Sequence, residues 1–226
     1  MDKTANGVGQ MDISEIKGAY DCIVSLGSSC EPAAHLRRKG LRSFSSPLDW
    51  VVSLSLTDVN RLLSSRFAGY MEIENMSPVE GNDVFVENEV VMPVKSYFIK
   101  DFYYNVISVH DFPVLDGQEW SAAYPGFKSK IEMRSQRLLD QLAVSRRTLF
   151  IRWGSTYEEA AALQQTLRPL TGGEFLILIV NGVDGLESVI NNGWGYPGIC
   201  SLSIPNRAGD NETWDYLLDG IVKQEA

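Results

Sequence analysis

Twenty lysines and arginines against 29 aspartates and glutamates give this 226-residue chain a net charge of -9, the wrong sign for a protein whose main partner is a phosphate backbone. With 44% hydrophobic residues it can bury a sizeable core, and three cysteines in a chain of this length favour reduced thiols over a disulfide framework. Its longest apolar runs, such as "FLILIV" at 175–180, fall short of the roughly 20 residues that span a bilayer, and no apolar stretch follows a basic start at the N-terminus. The expectation is a cytoplasmic protein with no signal peptide, no nucleic-acid partner and no membrane partner.

Residues 1–18 are polar and without period, and read as a mobile lead-in to a single domain over 19–226. "YDCIVSLG" at 20–27 is a short β-branched run stopped by glycine and predicts a buried strand. "CEPAAHLRRKG" predicts the helix after it: Ser28 or Ser29 caps it, Glu31 and Pro32 suit its first turn, Arg37, Arg38 and Lys39 its last, and Gly40 its end. "SFSSPLDW" is irregular, and "TDVNRLLSSRF" at 57–67 is helical with Thr57 as its cap. From about 71 to 110 the chain is rich in Val, Tyr, Phe and Ile, a β-rich insertion of antiparallel strands.

After a helix at 128–144 the pattern alternates: "RTLFIRW" strand, "STYEEAAALQQTLRPL" helix, "EFLILIVNG" strand, "GLESVINNG" helix, "GICSLSIPN" strand, "NETWDYLLDGIVKQ" helix. Apolar strands alternating with amphipathic helices predict an α/β fold, a mostly parallel sheet of about four or five strands with helices on both faces.

In open parallel sheets ligands sit beyond the carboxyl ends of the strands, and Cys30 lies three residues past the first one. A sulfur in the first turn of a helix is surrounded by unpaired N–H groups, which favour the thiolate and supply an oxyanion hole. Cys22 and Cys200 sit inside strand patterns and read as core. Of the two histidines, His35 is five residues on from Cys30, about 500° of helical rotation away, and reads as structural. His110 ends the β-rich region at a Pro-bounded loop and is the candidate base. A third group to orient it comes from Asp49, Asp111, Asn181 or Asp184. Ser28, Ser29, Arg152 and Asn181 are the substrate-binding candidates, Arg152 as a carboxylate clamp or a structural ion-pair member.

"GWGYPG" at 193–198 matches the letters of a dinucleotide fingerprint but precedes a strand instead of following one. Two histidines and no closely spaced cysteine pair give a zinc site little support, so no metal or cofactor is expected.

"SLGSSCEPAAHLRRKGLRSFSSPLDW" resembles the opening motif of a bacterial family of papain-like cysteine peptidases, with its Ser-Leu-Gly-x-x-Cys turn, helix and Pro-x-Asp-Trp segment; "HDF" at 110–112 and "LFIRW" at 149–153 resemble its later landmarks. The resemblance implies a cysteine nucleophile at Cys30, a histidine at His110 and a role for Asp49, and offers an α+β papain-like architecture as the alternative fold. The sequence departs from true papain-like enzymes in having Glu31 after the cysteine and no glutamine between Gln10 and Cys30.

These readings combine into an enzyme that forms an acyl-thioester at Cys30 and then hydrolyses the acyl or peptidyl group, as a peptidase, amidase or thioesterase, or transfers it, as an acyltransferase. The charge and the missing secretion signal point to a dedicated substrate, free or carrier-bound, in a biosynthetic or modification pathway. Two alternatives compete: a non-catalytic module holding a small ligand at the sheet edge through Arg152, and a redox-sensing thiol. Sequence leaves the oligomeric state open.

Overall fold

A computed structural model of the chain describes residues 11–81, 84–87, 90–93 and 95–224. The chain enters through a 3-10 turn at Ile13–Ile16, where Asp12 and Glu15 form a reciprocal capping box and Ile16 is fully buried. Residues 1–10 of the expected mobile lead-in lie outside the described residues, but in its later part Met11 and Ile16 are buried in one of the two cores and anchor the chain.

The central sheet contains β2 (Cys22–Ser25), β9 (Arg147–Trp153), β10 (Glu174–Val183) and β12 (Ile199–Pro205), all parallel, with the two-residue β11 (Ile190–Asn191) antiparallel at one edge. Its order is β11-β12-β10-β9-β2, so the strand leading to Cys30 is the opposite edge. Alternate residues face opposite sides. Val24, Phe150, Ile177 and Ile179 enter one core with α2 (Leu56–Ser64), α3 (Tyr124–Val144) and α4 (Tyr157–Leu167). Ile23, Leu149, Ile151, Leu178 and Val180 enter the other with Leu36 of α1 (Glu31–Arg38) and Trp214, Leu217 and Leu218 of α5 (Asn211–Leu218). Burial on both faces is why "FLILIV" is continuously apolar, and the expected α/β sheet with helices on both sides is what forms.

The second sheet is antiparallel, in the order β3-β8-β7-β4: β3 (Val51–Val52), β8 (Val106–Ser108), β7 (Phe98–Asp101) and β4 (Met76–Val79). A separate antiparallel pair is formed by β5 (Val84–Glu87) and β6 (Val90–Pro93). The β-rich region thus recruits a strand at 51–52, ahead of the expected start near 71.

Three local readings are corrected. "GLESVINNG" is not helical: it forms β11, with Ile190 opposite Ser203, and the side chains of Asn191 and Asn192 bond the Met11 carbonyl and Ser201 Oγ in place of a helix ladder. The last helix stops at Leu218, and Gly220, in a left-handed conformation, turns the chain into β13 (Ile221–Lys223), which pairs in parallel with β1 (Gly18–Tyr20). The cap of α2 is Ser55, whose hydroxyl accepts the Asp58 N–H, and not Thr57.

Candidate active site

Cys30 is reached by a sharp turn at the end of β2. Gly27 and Ser28 both have left-handed backbone, φ 74° and 79°. Only glycine fits at 27, since a Cβ there would meet the Leu48 carbonyl oxygen at 2.7 Å. Ser28 carries the same conformation with a side chain, a strain that persists only where surroundings enforce it. Ser53 does the enforcing: its Oγ accepts the Ser28 N–H at 3.0 Å, and its own N–H donates to the Ser28 carbonyl at 3.2 Å. Arg152, fully buried, clamps Ser53 from below, donating to Ser53 Oγ at 3.0 Å, to the Leu26 carbonyl at 2.9 Å and to the Ser53 carbonyl. Burial lowers its pKa to about 10.

The turn delivers Cys30 to the N-cap of α1, with helical backbone (φ -75°, ψ -14°) and its carbonyl accepting the Ala34 N–H. Its sulfur makes no capping bond; that task falls to Ser29, whose Oγ accepts the Glu31 N–H. The sulfur lies 3.4 Å from Nε2 of His110, a residue 80 positions away. A thiol and an imidazole at this distance can exchange a proton.

His110 is placed by the second sheet. Val51 pairs with Ser108 and Val52 with Ile107, so β8 ends two residues before His110, while Asp49 and Trp50 lie in the turn that leads into β3. The Trp50 ring stands edge-on to the imidazole, with centroids 6.1 Å apart and planes at 85°. The thiol from the parallel sheet and the imidazole from the antiparallel sheet thus meet where the two sheets adjoin.

Glu31, the acidic neighbour of the thiol, is occupied elsewhere: one oxygen pairs with His35 Nε2 at 3.0 Å and the other accepts the Gly209 N–H at 3.2 Å. His35 is buried and stacked on Trp214, centroids 4.7 Å apart, the structural role expected of it.

Asp49 is 1% exposed, and its Oδ2 accepts from Arg42 at 2.9 Å and from the Ser46 N–H at 2.8 Å, while Oδ1 is buried with no hydrogen-bond partner. Burial raises its pKa to about 6 against the opposing pull of Ser46 and Arg42. The other candidate orienters lie in their own networks. Asp111 accepts from Ser108 Oγ and pairs with Lys130. Asn181 accepts the Ser155 N–H at 3.0 Å, and its strand is separated from the Cys30 strand by β9, about 10 Å across. Asp184 accepts from Asn206 at 2.8 Å.

Two sequence expectations change on this geometry. Arg152 has no solvent-facing surface with which to clamp a ligand; it faces inward because Phe150 and Arg152 share a sheet face, and the turn and Ser53 cover that face's carboxyl end. The Ser28 N–H is committed to Ser53, which leaves the N–H groups of Ser29 and Cys30 as those beside the sulfur. Ser53 escaped sequence reading because a serine in "VVSLSL" has no visible partner until the left-handed turn at 27–28 is known.

Two clefts of about 300 and 340 Å³ open elsewhere, and neither is lined by Cys30 or His110. Among the described residues no helix is long and apolar enough to cross a membrane.

A mimivirus protein, "Uncharacterized protein R408" of Acanthamoeba polyphaga mimivirus, is 30% identical over 139 residues, 57% of this chain and 60% of the relative. The chain therefore spans about three fifths of the length of that curated relative. No solved structure matches. A family profile described as "Putative papain-like cysteine peptidase (DUF1796)" matches residues 21–185, from the start of β2 through the end of β10 and so across both Cys30 and His110, and the chain belongs to that family.

Proposed function

We propose that the protein is a cysteine-nucleophile enzyme in which Cys30 attacks an acyl or peptidyl carbonyl and His110 holds and returns the proton. The observation that carries this is the 3.4 Å approach of Cys30 Sγ to His110 Nε2, brought together across 80 residues by two separate sheets. A cysteine-peptidase family supports the hydrolase class.

In this reading the thiol proton passes to His110 Nε2, and the thiolate adds to the carbonyl carbon, forming a C–S bond. The N–H groups of Ser29 and Cys30, at the N-terminal end of α1, stabilise the negative oxygen. Collapse breaks the bond to the leaving group, which takes the proton from the imidazolium, and an acyl-thioester remains. Water deprotonated by His110 then hydrolyses it; an amine or hydroxyl in its place gives transfer. Asp49 serves as a positioning residue, through Arg42 and Trp50, and Arg152 and Ser53 hold the nucleophile turn. The ligand-module alternative loses its anion contact, since Arg152 is fully buried. A cytoplasmic setting, where thiols stay reduced, suits the proposed nucleophile, and a dedicated substrate in a biosynthetic or modification pathway remains our reading of its role.

Intact-mass analysis after mixing with p-nitrophenyl acetate tests the chemistry. A single acetyl adduct on Cys30, absent in Cys30→Ala and accumulating in His110→Ala only slowly, supports the mechanism. Faster loss of the adduct with added amine than with water marks transfer. No adduct on Cys30 in the folded protein overturns it.

A further inference from the structure

Beside the thiol and the imidazole the structure places a cation that neither step uses. Cys30 has helical backbone, so the periodicity of α1 starts with it, and Arg37 seven residues on returns to nearly the same face two turns away, about 10 Å along the axis. The Arg37 guanidinium lies over the Trp50 ring, 5.4 Å from its centroid, and that ring makes a T-shaped contact with the His110 imidazole. Arg42 also lies over Trp50, at 5.2 Å, but is paired with Asp49.

Several neighbouring charges are paired, while the Arg134 charge acts on Asp49 without a salt bridge among the described residues. Arg38 and Lys39 both pair with Asp215, Lys130 pairs with Asp111, and Glu31 with His35. Arg37 is exposed, and among the described residues no carboxylate pairs with it. A guanidinium held over an aromatic face can still donate its N–H groups to an incoming acceptor.

We propose that Arg37 and Trp50 form an anion subsite, and that the acyl or peptidyl substrate carries a carboxylate several ångströms from the scissile carbonyl, on the side lying over Trp50. The inference rests on the thiol-nucleophile reading and deepens it by naming the substrate class. A chain of net charge -9 repels such a substrate at long range, but that field is screened beyond about 8–10 Å at physiological salt, so recognition falls on the local guanidinium. Guanidinium to carboxylate is also the pairing that fixes orientation as well as position.

The test needs no natural substrate. N-iodoacetyl-β-alanine and its N-methylamide alkylate thiols alike but differ in one carboxylate beyond the reacting carbon. The ratio of their Cys30 alkylation rates is read by peptide mapping in wild type, Arg37→Gln and Arg37→Lys, at ~10 mM and ~500 mM salt. The expected result is a preference for the anionic reagent that falls about threefold or more in Arg37→Gln, survives in Arg37→Lys and shrinks at high salt. Fast Cys30 labelling with the same ratio in wild type and Arg37→Gln overturns the anion subsite alone and leaves the nucleophile standing, since a protonated His110 then accounts for any preference. Labelling of Cys30 by either reagent no faster than a simple peptide thiol overturns both.

Discussion

Ser53 holds Ser28 at both ends, accepting its N–H at 3.0 Å and donating to its carbonyl at 3.2 Å. This reciprocal pair keeps a non-glycine residue at φ 79° two positions before Cys30, and Arg152 locks it from below. Ser53→Ala leaves a buried Ser28 N–H and an Arg152 N–H without their acceptor, each worth about 1–3 kcal/mol. We expect unfolding free energy to fall by about 2 kcal/mol and Cys30 alkylation to slow, whereas Ser55→Ala, which removes a helix cap, lowers stability and leaves the alkylation rate unchanged. Equal alkylation rates in Ser53→Ala and wild type would remove Ser53 from the positioning role.

Gly27 meets two demands at once, a left-handed backbone and a Cβ position only 2.7 Å from the Leu48 carbonyl oxygen. Gly27→Ala therefore destabilises by more than the roughly 1–2 kcal/mol of the conformation alone. Gly40→Ala shares the positive φ but has nothing within 4 Å of a Cβ, and it isolates the backbone cost. Thermal unfolding should rank wild type above Gly40→Ala above Gly27→Ala; equal losses in the two variants would contradict the close contact.

Asp49 predicts a pH signature. Burial raises its folded pKa to about 6 from 3.8, so between these values the folded state keeps a proton that the unfolded state has released. Stability from this group is therefore fully present below about pH 4, declines as pH rises to about 6, and is level above that. Asp49→Asn removes the dependence, so relative to wild type it gains on the order of 2–3 kcal/mol between pH 4 and 6.5. Urea unfolding of both proteins across that range checks it, and a difference that stays flat contradicts the raised pKa.

The three cysteines divide sharply. Burial pushes Cys22 up to about 11 and Cys200 up to about 12, and both are nearly inaccessible, while Cys30 is part-exposed. Titration of the native protein with a disulfide reagent at pH 7.5 should release one equivalent of chromophore quickly, and all three only in guanidinium. Rapid release from Cys22 or Cys200 in the folded state would contradict the packing of β2 or β12.

Features with local causes were the legible ones. The strand, glycine turn and helix around Cys30 follow from a β-branched run, Gly27 and a Pro-containing first turn. The parallel sheet follows from apolar runs buried on both faces. His110 was legible by elimination, since only two histidines exist and one shares a helix with Cys30. What stayed hidden depends on distant surroundings. Arg152 reads from sequence as a carboxylate clamp or an ion-pair member, because nothing local shows that the Leu26 carbonyl and Ser53 take its N–H groups. Met11 and Ile16 read as part of a polar tail because two apolar residues set no period, yet both pack into the second core. Asp49 was singled out by its motif, but its engagement with Arg42 and Ser46 required the fold.

The most direct test of the central claim is the pH dependence of Cys30 alkylation by iodoacetamide between pH 5 and 9, read by peptide mass mapping in wild type and His110→Ala. The account predicts that wild-type Cys30 labels quickly below about pH 7, well under the ordinary thiol range of about 8.5, and that His110→Ala loses this acid limb. Identical profiles in the two proteins, rising only near pH 8.5, would show that the 3.4 Å contact does not activate the sulfur, and would contradict the nucleophile assignment.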